Sequence, residues 1–156
     1  VIVFVSGLLA SFISVMAVFF VLKHKAKNKI LIVDDNEEIC KDLGGFLKKR
    51  NYLVYTAQAL ESAQEIIRDK AFDYAIIDLG DDKYSGIKFF RHLEERQPKS
   101  KRLILSGYPF EETKEYFKEE GYSEEDLNEI ENIYIYKAGK ENYMLTILDK
   151  LGGMWL

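Results

Sequence analysis

The chain has 156 residues, with 22 Lys and Arg against 26 Asp and Glu, a net charge of −4 and 47% hydrophobic residues. These averages are typical of one acidic globular domain. A single cysteine, Cys40, excludes an internal disulfide framework and a cysteine-rich zinc site, and two histidines leave little for a histidine-based metal centre. The negative charge, with no basic stretch in the folded part, argues against nucleic acid as a partner.

Residues 1–22 differ from the rest of the chain, because 18 of them are hydrophobic and none is charged. As a helix this segment would be about 33 Å long, enough to cross a hydrocarbon core of about 30 Å. Five basic residues follow it: Lys23, His24, Lys25, Lys27 and Lys29. Such clusters belong on the cytoplasmic side of a membrane. We therefore predict a single-pass transmembrane helix over 1–22 in the cell inner membrane, a basic juxtamembrane linker over 23–28 and a cytoplasmic domain. A buried core helix or a fusion segment is the alternative.

Small residues recur four apart within the apolar segment, at Ser6, Ala10 and Ser14 and again at Gly7 and Ser11. This spacing permits close helix pairing in lipid, which would give a homodimer. Small residues are also common in unpaired membrane helices, so both possibilities stay open.

From residue 29 onward, short apolar runs alternate with amphipathic stretches. The spacing of apolar residues predicts strands over 30–33, 53–56, 73–77, 103–105 and 133–136. Helical spacing marks four intervening or following helices, the first capped by Asn36 and the third ending before Pro98. Strands of continuous apolar residues that alternate with helices are typical of a parallel sheet covered on both faces. We therefore predict an α/β fold over 29–151, with a doubly wound five-stranded parallel sheet, followed by a tail over 152–156.

Polar residues stand at the carboxyl ends of four predicted strands. Asp34 and Asp35 follow the first strand, Asp78 follows the third, Ser106 closes the fourth and Lys137 closes the fifth. In a doubly wound sheet these ends meet at one edge, where ligands bind. Three clustered carboxylates repel one another unless a cation lies among them, and oxygen ligands suit Mg²⁺. With the metal bound, a carboxylate can attack a phosphoryl group while a lysine and a hydroxyl hold its oxygens.

Together these residues form motifs that resemble the response-regulator receiver domain of two-component signalling, over about residues 29–151. The matching motifs are Ile32-Val33-Asp34-Asp35, Ile76-Ile77-Asp78-Leu79, Leu105-Ser106-Gly107 and Tyr136-Lys137-Ala138, with Gly86 in the loop after Asp78. The resemblance implies a flavodoxin-like receiver fold. It also implies that Asp78 accepts a phosphoryl group from a histidine kinase or a phosphotransfer protein.

The resemblance further implies a Mg²⁺ site. Asp35 and Asp78 would be direct ligands together with the backbone carbonyl of Gly80, and Asp34 would act through water. Ser106 and Lys137 would bind the phosphoryl group.

Tyr134 matches the aromatic switch residue of the family, which moves inward when the Ser or Thr engages phosphate. The alternative for Tyr134 is a half-exposed tyrosine on a strand.

The chain also departs from the family pattern. Ala138 replaces the usual proline, which follows a cis peptide bond, so Lys137 would be held less firmly. Asp81 and Asp82 add two carboxylates beside the site, where they would bind metal, repel a phosphodonor or simply be solvated. The interval between Ser106 and Lys137 is longer than usual, and residues 123–126 have the pattern of an additional helix start.

Residues 111–131 contain ten carboxylates against Lys114 and Lys118, a net charge of −8. An acidic face here would select a basic protein partner and avoid anionic lipid. A plain solvated helix surface is the alternative.

The leading hypothesis is a membrane-anchored receiver that is phosphorylated on Asp78 and signals by protein–protein contact. We expect no enzymatic activity beyond its own phosphorylation and dephosphorylation. The alternative, favoured by Ala138, the Asp81-Asp82 pair and the acidic interval, is a degenerate, non-phosphorylated receiver that acts as a membrane-bound scaffold. A phosphatase with Asp78 as nucleophile is a weaker third reading, because Gly80 stands where a second acid would be needed.

Overall fold

A computed structural model of the chain describes residues 27–137 and 140–152. Five parallel strands form one sheet, in the order β2-β1-β3-β4-β5. The strands are β1 (Lys29–Val33), β2 (Leu53–Ala57), β3 (Tyr74–Asp78), β4 (Lys101–Ser106) and β5 (Tyr134–Tyr136). This is the doubly wound order found in flavodoxin-like proteins, so the predicted fold class is confirmed.

Helices cover both faces of the sheet. They are α1 (Glu37–Lys48), α2 (Leu60–Asp69), α3 (Tyr84–Arg96), α4 (Lys114–Glu119), α5 (Glu124–Ile133) and α6 (Lys140–Lys150), with a 3-10 helix at Phe110–Glu112. Apolar residues of α2, α3, α4 and α5 pack with one set of strand side chains, which includes Leu31, Ile77 and Ile104. Apolar residues of α1 and α6 pack with the opposite set, which includes Ile30 and Ile76. Alternate strand residues therefore face two separate cores, as strand geometry requires.

Strand register aligns the polar residues along one edge of the sheet. Val33 pairs with Ile77, Asp78 pairs with Leu105, and Ser106 pairs with Tyr136. Residues at or just beyond these positions therefore lie at the carboxyl ends of neighbouring strands.

Two predicted helix starts are confirmed. The side chain of Asn36 accepts hydrogen bonds from the backbone N–H groups of Glu38 and Ile39 at the start of α1. Ser123 and Asp126 form a reciprocal capping box at the start of α5. Each cap satisfies backbone donors that would otherwise lack a partner in the first turn.

The structure shifts the predicted strand boundaries by one or two residues. The strand predicted over 73–77 is Tyr74–Asp78, so Asp78 is the last residue of β3 and not the residue after it. The predicted strand over 133–136 begins at Tyr134, because Ile133 is the last residue of α5, which runs directly into β5. The interval between β4 and β5 contains α4 as well as the predicted additional helix.

No helix in the described part of the chain combines the length and the apolar character needed to cross a bilayer. The predicted transmembrane helix over 1–22 lies outside the described residues, as do Ala138 and most of the tail.

Candidate functional site

Three carboxylates meet at the carboxyl edge of the sheet. Asp34, Asp35 and Asp78 each offer an oxygen, and these oxygens all lie within 4.8 Å of one another. The side chain of Asp34 is 2% exposed and that of Asp78 is 11% exposed, whereas Asp35 is open to solvent. This set of oxygen donors has the chemistry that Mg²⁺ prefers, so the three predicted carboxylates fit the ion.

Local hydrogen bonds fix the buried carboxylate of Asp34. Its backbone N–H donates to the carbonyl of Ala57 at 3.1 Å, which extends the pairing of β1 with β2. Its Oδ1 accepts the backbone N–H of Asn36 at 2.9 Å. The other oxygen, Oδ2, is left to face the centre of the site, where it meets Lys137.

Lys137 joins two of the three carboxylates. Its Nζ lies 2.8 Å from Asp34 Oδ2 and 2.9 Å from Asp78 Oδ1, and its side chain is 16% exposed. The backbone N–H of Lys137 donates to the carbonyl of Ser106 at 2.8 Å, which continues the β4–β5 ladder by one residue. The lysine therefore reaches the site even though Ala138 follows it in the sequence.

Burial and charge compete in this ion pair. Burial lowers the pKa of Lys137, but the hydrogen bonds and negative charges of Asp34 and Asp78 outweigh it and leave this pKa above its ordinary value. Burial is also the largest influence on the pKa of Asp78, which it raises. The ammonium of Lys137 lowers this pKa, but not enough to bring it back to its ordinary value. Desolvation of the Asp78 carboxylate is thus only partly compensated by the lysine.

The loop after β3 is shaped by glycine and by a local cap. Gly80 has a φ of +74° and donates its backbone N–H to Asp78 Oδ2 at 3.1 Å. Asp82 accepts hydrogen bonds from the backbone N–H of Ser85 at 3.1 Å and from its Oγ at 2.6 Å. The Asp82 carboxylate therefore caps the start of α3, while Asp81 remains exposed at the rim of the cleft.

Gly86 permits α3 to approach the end of β3. A Cβ atom at this position would lie 2.4 Å from Leu79 Cα and 2.7 Å from the carbonyl oxygen of Asp78. Both atoms belong to the backbone and cannot swing aside. The glycine that the sequence resemblance singled out is therefore required by packing directly behind Asp78.

Ser106 and Tyr134 are connected through Tyr108. Ser106 is buried, and its Oγ accepts the backbone N–H of Tyr108 at 3.1 Å. Tyr134 is 9% exposed, and its hydroxyl donates to the carbonyl of Tyr108 at 2.7 Å. The alternative of a half-exposed strand tyrosine is therefore wrong, since the ring occupies an inward position.

Two residues at the site had no predicted role. Lys83 has a φ of +58°, and its Nζ lies 3.8 Å from the centroid of the Tyr108 ring, so it bridges the loops after β3 and β4. Cys40 donates its Sγ–H to the carbonyl of Asp34 at 3.3 Å. The position of Cys40 on the buried stripe of α1 was visible in the sequence, but nothing in the sequence signals a lysine with positive φ.

The carboxyl edge of the sheet borders a cleft of about 350 Å³. The predicted residues that line it are Asp34, Asp35, Asp78, Gly80, Asp81, Asp82 and Gly86. Lys137 reaches the same carboxylates from the β5 side, and Tyr134 lies beyond Ser106 and Tyr108.

Comparisons with known proteins agree with this geometry. A family model for the response regulator receiver domain matches residues 30–125. The photosynthetic apparatus regulatory protein RegA of Cereibacter sphaeroides is 31% identical over 93 residues, which are 60% of this chain and 50% of that protein. RegA of Rhodobacter capsulatus is 29% identical over 79 residues, 51% of this chain and 43% of that protein. The chain thus spans about half the length of the curated relatives it matches.

Solved structures show the same fold. A response regulator protein from Burkholderia pseudomallei, solved with a phosphorylated aspartic acid, a calcium ion and citrate, has a TM-score of 0.63 and 25% identity, over 80% of this chain and 66% of that one. A CheY-like receiver domain protein from Methanospirillum hungatei has a TM-score of 0.65 and 23% identity, over 81% and 95%. The family match covers more than half of the sequence, so this chain belongs to the response regulator receiver domain family of two-component signalling.

Proposed function

We propose that the chain is a membrane-anchored receiver that accepts a phosphoryl group on Asp78 from a phosphohistidine of a histidine kinase or phosphotransfer protein. Receiver domains are phosphorylated on an aspartate and interact with such partners. The observation that supports Asp78 is its position at the carboxyl edge of the sheet, beside Asp34 and Asp35 and 2.9 Å from the Lys137 ammonium.

Mg²⁺ would be held by Asp35, Asp78 and the carbonyl of Gly80, with Asp34 acting through water. When bound, the ion supplies positive charge that offsets the charge of the transferring phosphoryl oxygens. The related protein from Burkholderia pseudomallei was solved with both a phosphorylated aspartic acid and a calcium ion, which supports a divalent cation at such a site.

The carboxylate of Asp78 is oriented by two donors. Oδ2 accepts the Gly80 N–H, and Oδ1 contacts Lys137 Nζ. One of these oxygens forms a bond to phosphorus while the phosphorus–nitrogen bond of the donor phosphohistidine breaks, and the imidazole leaves with the electron pair. Lys137 and Ser106 would then hold oxygens of the new acyl phosphate, because an ammonium and a hydroxyl are the donors that a phosphoryl group requires.

Signalling would follow from the change in the partners of Ser106. Its Oγ accepts the Tyr108 N–H in this structure, and the Tyr108 carbonyl accepts the Tyr134 hydroxyl. A phosphoryl group on Asp78 would accept the O–H of Ser106. Movement of Oγ toward it would weaken the bond from the Tyr108 N–H and so alter the loop that holds Tyr134. This is a local change in charge and hydrogen bonding that biases a nearby surface.

Phosphorylation is tested by incubating the chain with Mg²⁺ and a small acyl phosphate and measuring its intact mass. We expect a gain of one phosphoryl group that is lost in Asp78→Asn. Asp81→Asn is the matched control, because Asp81 is a neighbouring exposed carboxylate on the same cleft. An adduct that survives Asp78→Asn would contradict the assignment.

The alternative function, a non-phosphorylated scaffold, is supported by one observation. The Lys137 ammonium already bridges Asp34 and Asp78 and gives these carboxylates a compensating charge. Under this alternative no adduct forms at any Mg²⁺ concentration, and Mg²⁺ does not bind more tightly to the wild-type chain than to Asp35→Asn.

The remaining parts of the proposal come from charge and hydropathy. The apolar segment 1–22 would anchor the chain in the inner membrane with the receiver on the cytoplasmic side, and pairing of this segment would give a homodimer.

The acidic stretch 111–131 would bind a basic protein partner. Both lysines of this stretch are already engaged, Lys114 by Glu111 and Lys118 by Glu115 and Glu124, and Glu120 pairs with Lys88 of α3 at 3.7 Å. The remaining carboxylates belong to exposed residues, which are Glu112, Glu119, Glu125, Asp126, Glu129 and Glu131.

A further inference from the structure

The end of the sheet opposite to the phosphoacceptor site carries a basic cavity of about 540 Å³. Four lysines line it, and we call them the basic floor: Lys27, Lys29, Lys99 and Lys101. Lys27 and Lys29 lie at the entrance to β1, and Lys99 and Lys101 lie at the start of β4. Backbone hydrogen bonds from Asp73 to Lys29 and from Lys101 to Asp73 bring the two starts together across β3.

The charges of the basic floor are not neutralised locally. None of its four lysines forms an ion pair within 4 Å with another residue of the described chain. One carboxylate lines the cavity, that of Asp73, and it accepts the backbone N–H of Lys29 at 2.7 Å. Three of these lysines, Lys27, Lys99 and Lys101, are exposed to solvent, so their ammonium groups are available to an external anion.

Helix electrostatics do not explain these lysines. The same end of the molecule also carries basic residues in the last turns of helices, namely Lys48, Arg68, Arg96 and Lys150. Those residues complement the negative ends of helix dipoles. Lys27, Lys29 and Lys101 lie at a strand start or in the segment before it, and Lys99 lies three residues after the end of α3, so none of the four is in the last turn of a helix.

The opposite edge of the sheet is acidic. The cleft there is lined by Asp34, Asp35, Asp78, Asp81 and Asp82, and the first turns of α1 and α2 add Glu37, Glu38 and Glu61. The domain is therefore polarised along its strands. A negatively charged surface attracts the basic floor and repels the edge that bears Asp78.

The sequence places the basic floor close to the predicted membrane anchor. Six residues, 23–28, lie between Leu22, the last residue of the apolar segment, and Lys29 in β1. Even a fully extended chain of this length spans at most about 25 Å. A domain on so short a tether cannot turn its basic end far from the bilayer.

We propose that the basic floor binds the anionic phospholipid headgroups of the cytoplasmic leaflet and holds the Asp78 edge away from the membrane, open to a kinase. The proposal rests on the membrane anchor of the proposed function, and it adds a lipid-binding surface on the folded domain. Nucleic acid also binds lysines, but the short tether to an apolar segment favours lipid.

The test uses the full chain in phosphatidylcholine nanodiscs and in nanodiscs that also contain phosphatidylglycerol. Lysine acetylation is followed by peptide mass spectrometry at low and high salt. We expect anionic lipid to slow the acetylation of Lys99 and Lys101 roughly three- to fivefold, and high salt to remove this protection. Lys41 and Lys88, which are exposed on α1 and α3, serve as internal references and should react equally in both lipids.

The outcomes separate the two proposals. If the chain enters both kinds of disc but Lys99 and Lys101 react at the same rate in each, the lipid-binding surface is overturned and the anchor stands. If the chain enters neither disc, the anchor fails and the lipid proposal fails with it. Protection of the same lysines by a DNA or RNA duplex in phosphatidylcholine discs, without protection by anionic lipid, would assign the surface to nucleic acid and overturn the proposal.

A variant pair gives an independent measurement. Spin-labelled anionic headgroups should broaden the amide signal of Ala71, which lines the same cavity and is far from the apolar segment in sequence. The double variant Lys99→Gln/Lys101→Gln should lose this broadening, whereas Lys41→Gln/Lys88→Gln should keep it. Equal broadening in both variants would overturn the role of the basic floor.

Discussion

The ammonium of Lys137 contacts the carboxylate of Asp34 at 2.8 Å, across 103 residues of sequence. This contact ties the residue after β5 to the residue after β1, over the intervening β3. Because Asp34 is itself held by Asn36 and Ala57, it fixes the lysine at the point where Nζ also meets Asp78.

Replacing Lys137 by methionine should slow phosphorylation of Asp78 about 10- to 100-fold, since a hydrogen bond to a charged group contributes about 1.5–3 kcal/mol. The rate is measured from intact mass after addition of a small acyl phosphate and Mg²⁺. Lys41→Met is the matched control, because Lys41 is an exposed lysine on α1 that does not line the cleft. A Lys137→Met rate equal to that of the wild type would show that the lysine does not hold the phosphoryl group.

Replacing Gly86 by alanine should destabilise the domain by about 1–3 kcal/mol or more, because the new methyl group meets the backbone of Leu79 and Asp78. The free energy of unfolding is measured by urea denaturation. Gly45→Ala provides the contrast: Gly45 lies within α1 with no atom near its absent Cβ, so this substitution should stabilise by up to about 1 kcal/mol.

Phosphorylation of Gly86→Ala should also be slower than that of Gly45→Ala, since the clash displaces the Asp78 backbone. If both glycine variants show the same stability and the same rate, the close approach of α3 to β3 is not a constraint on the site.

The main residues of the site could be predicted from the sequence, because the end of each strand is marked by an abrupt change from apolar to polar residues. Asp34, Asp78 and Ser106 each end an apolar run, and the parallel sheet then brings them to one edge. The cap at Asn36 was predictable for a similar reason, since it depends on a local pattern of a few residues.

Features that depend on tertiary packing were not predictable. The positive φ of Lys83 is set by the loop between Asp78 and α3, and lysine has no preference for that conformation. The inward position of Tyr134 depends on a carbonyl 26 residues away in the sequence. The basic floor joins lysines from two distant segments, so it exists only once β1, β3 and β4 are aligned.

Removing the hydroxyl of Tyr134 should weaken its inward position. Tyr134→Phe leaves the part-buried Tyr108 carbonyl without this donor, and we expect a loss of about 1 kcal/mol in the free energy of unfolding. Tyr136→Phe, on the same strand but 49% exposed, should change it by less than about 0.5 kcal/mol. Urea denaturation of the two variants side by side checks the difference, and equal losses would mean that the Tyr134 hydroxyl does not stabilise the inward ring.

The thiol of Cys40 should make stability depend on pH in the alkaline range. Burial raises its pKa from 9.0 to about 11, and the negative charge of Asp34 adds to this shift. In the unfolded chain the thiol ionises near its ordinary pKa, whereas the folded chain keeps it protonated. Stability from Cys40 is therefore fully present below about pH 9 and is lost as the pH rises toward 11, by up to about 3 kcal/mol.

The comparison of wild type with Cys40→Ala isolates this effect. Alanine also removes packing contacts of the buried Cys40 side chain, which is 4% exposed. This loss lowers the free energy of unfolding by an amount that does not vary with pH. Tyrosines and lysines that titrate in the same range contribute equally to both proteins and cancel in the difference. The stability advantage of the wild type, measured by urea denaturation from pH 7 to pH 11, should shrink or reverse above pH 9. A difference that stays constant over this range would show that Cys40 ionises as readily in the folded chain as in the unfolded one.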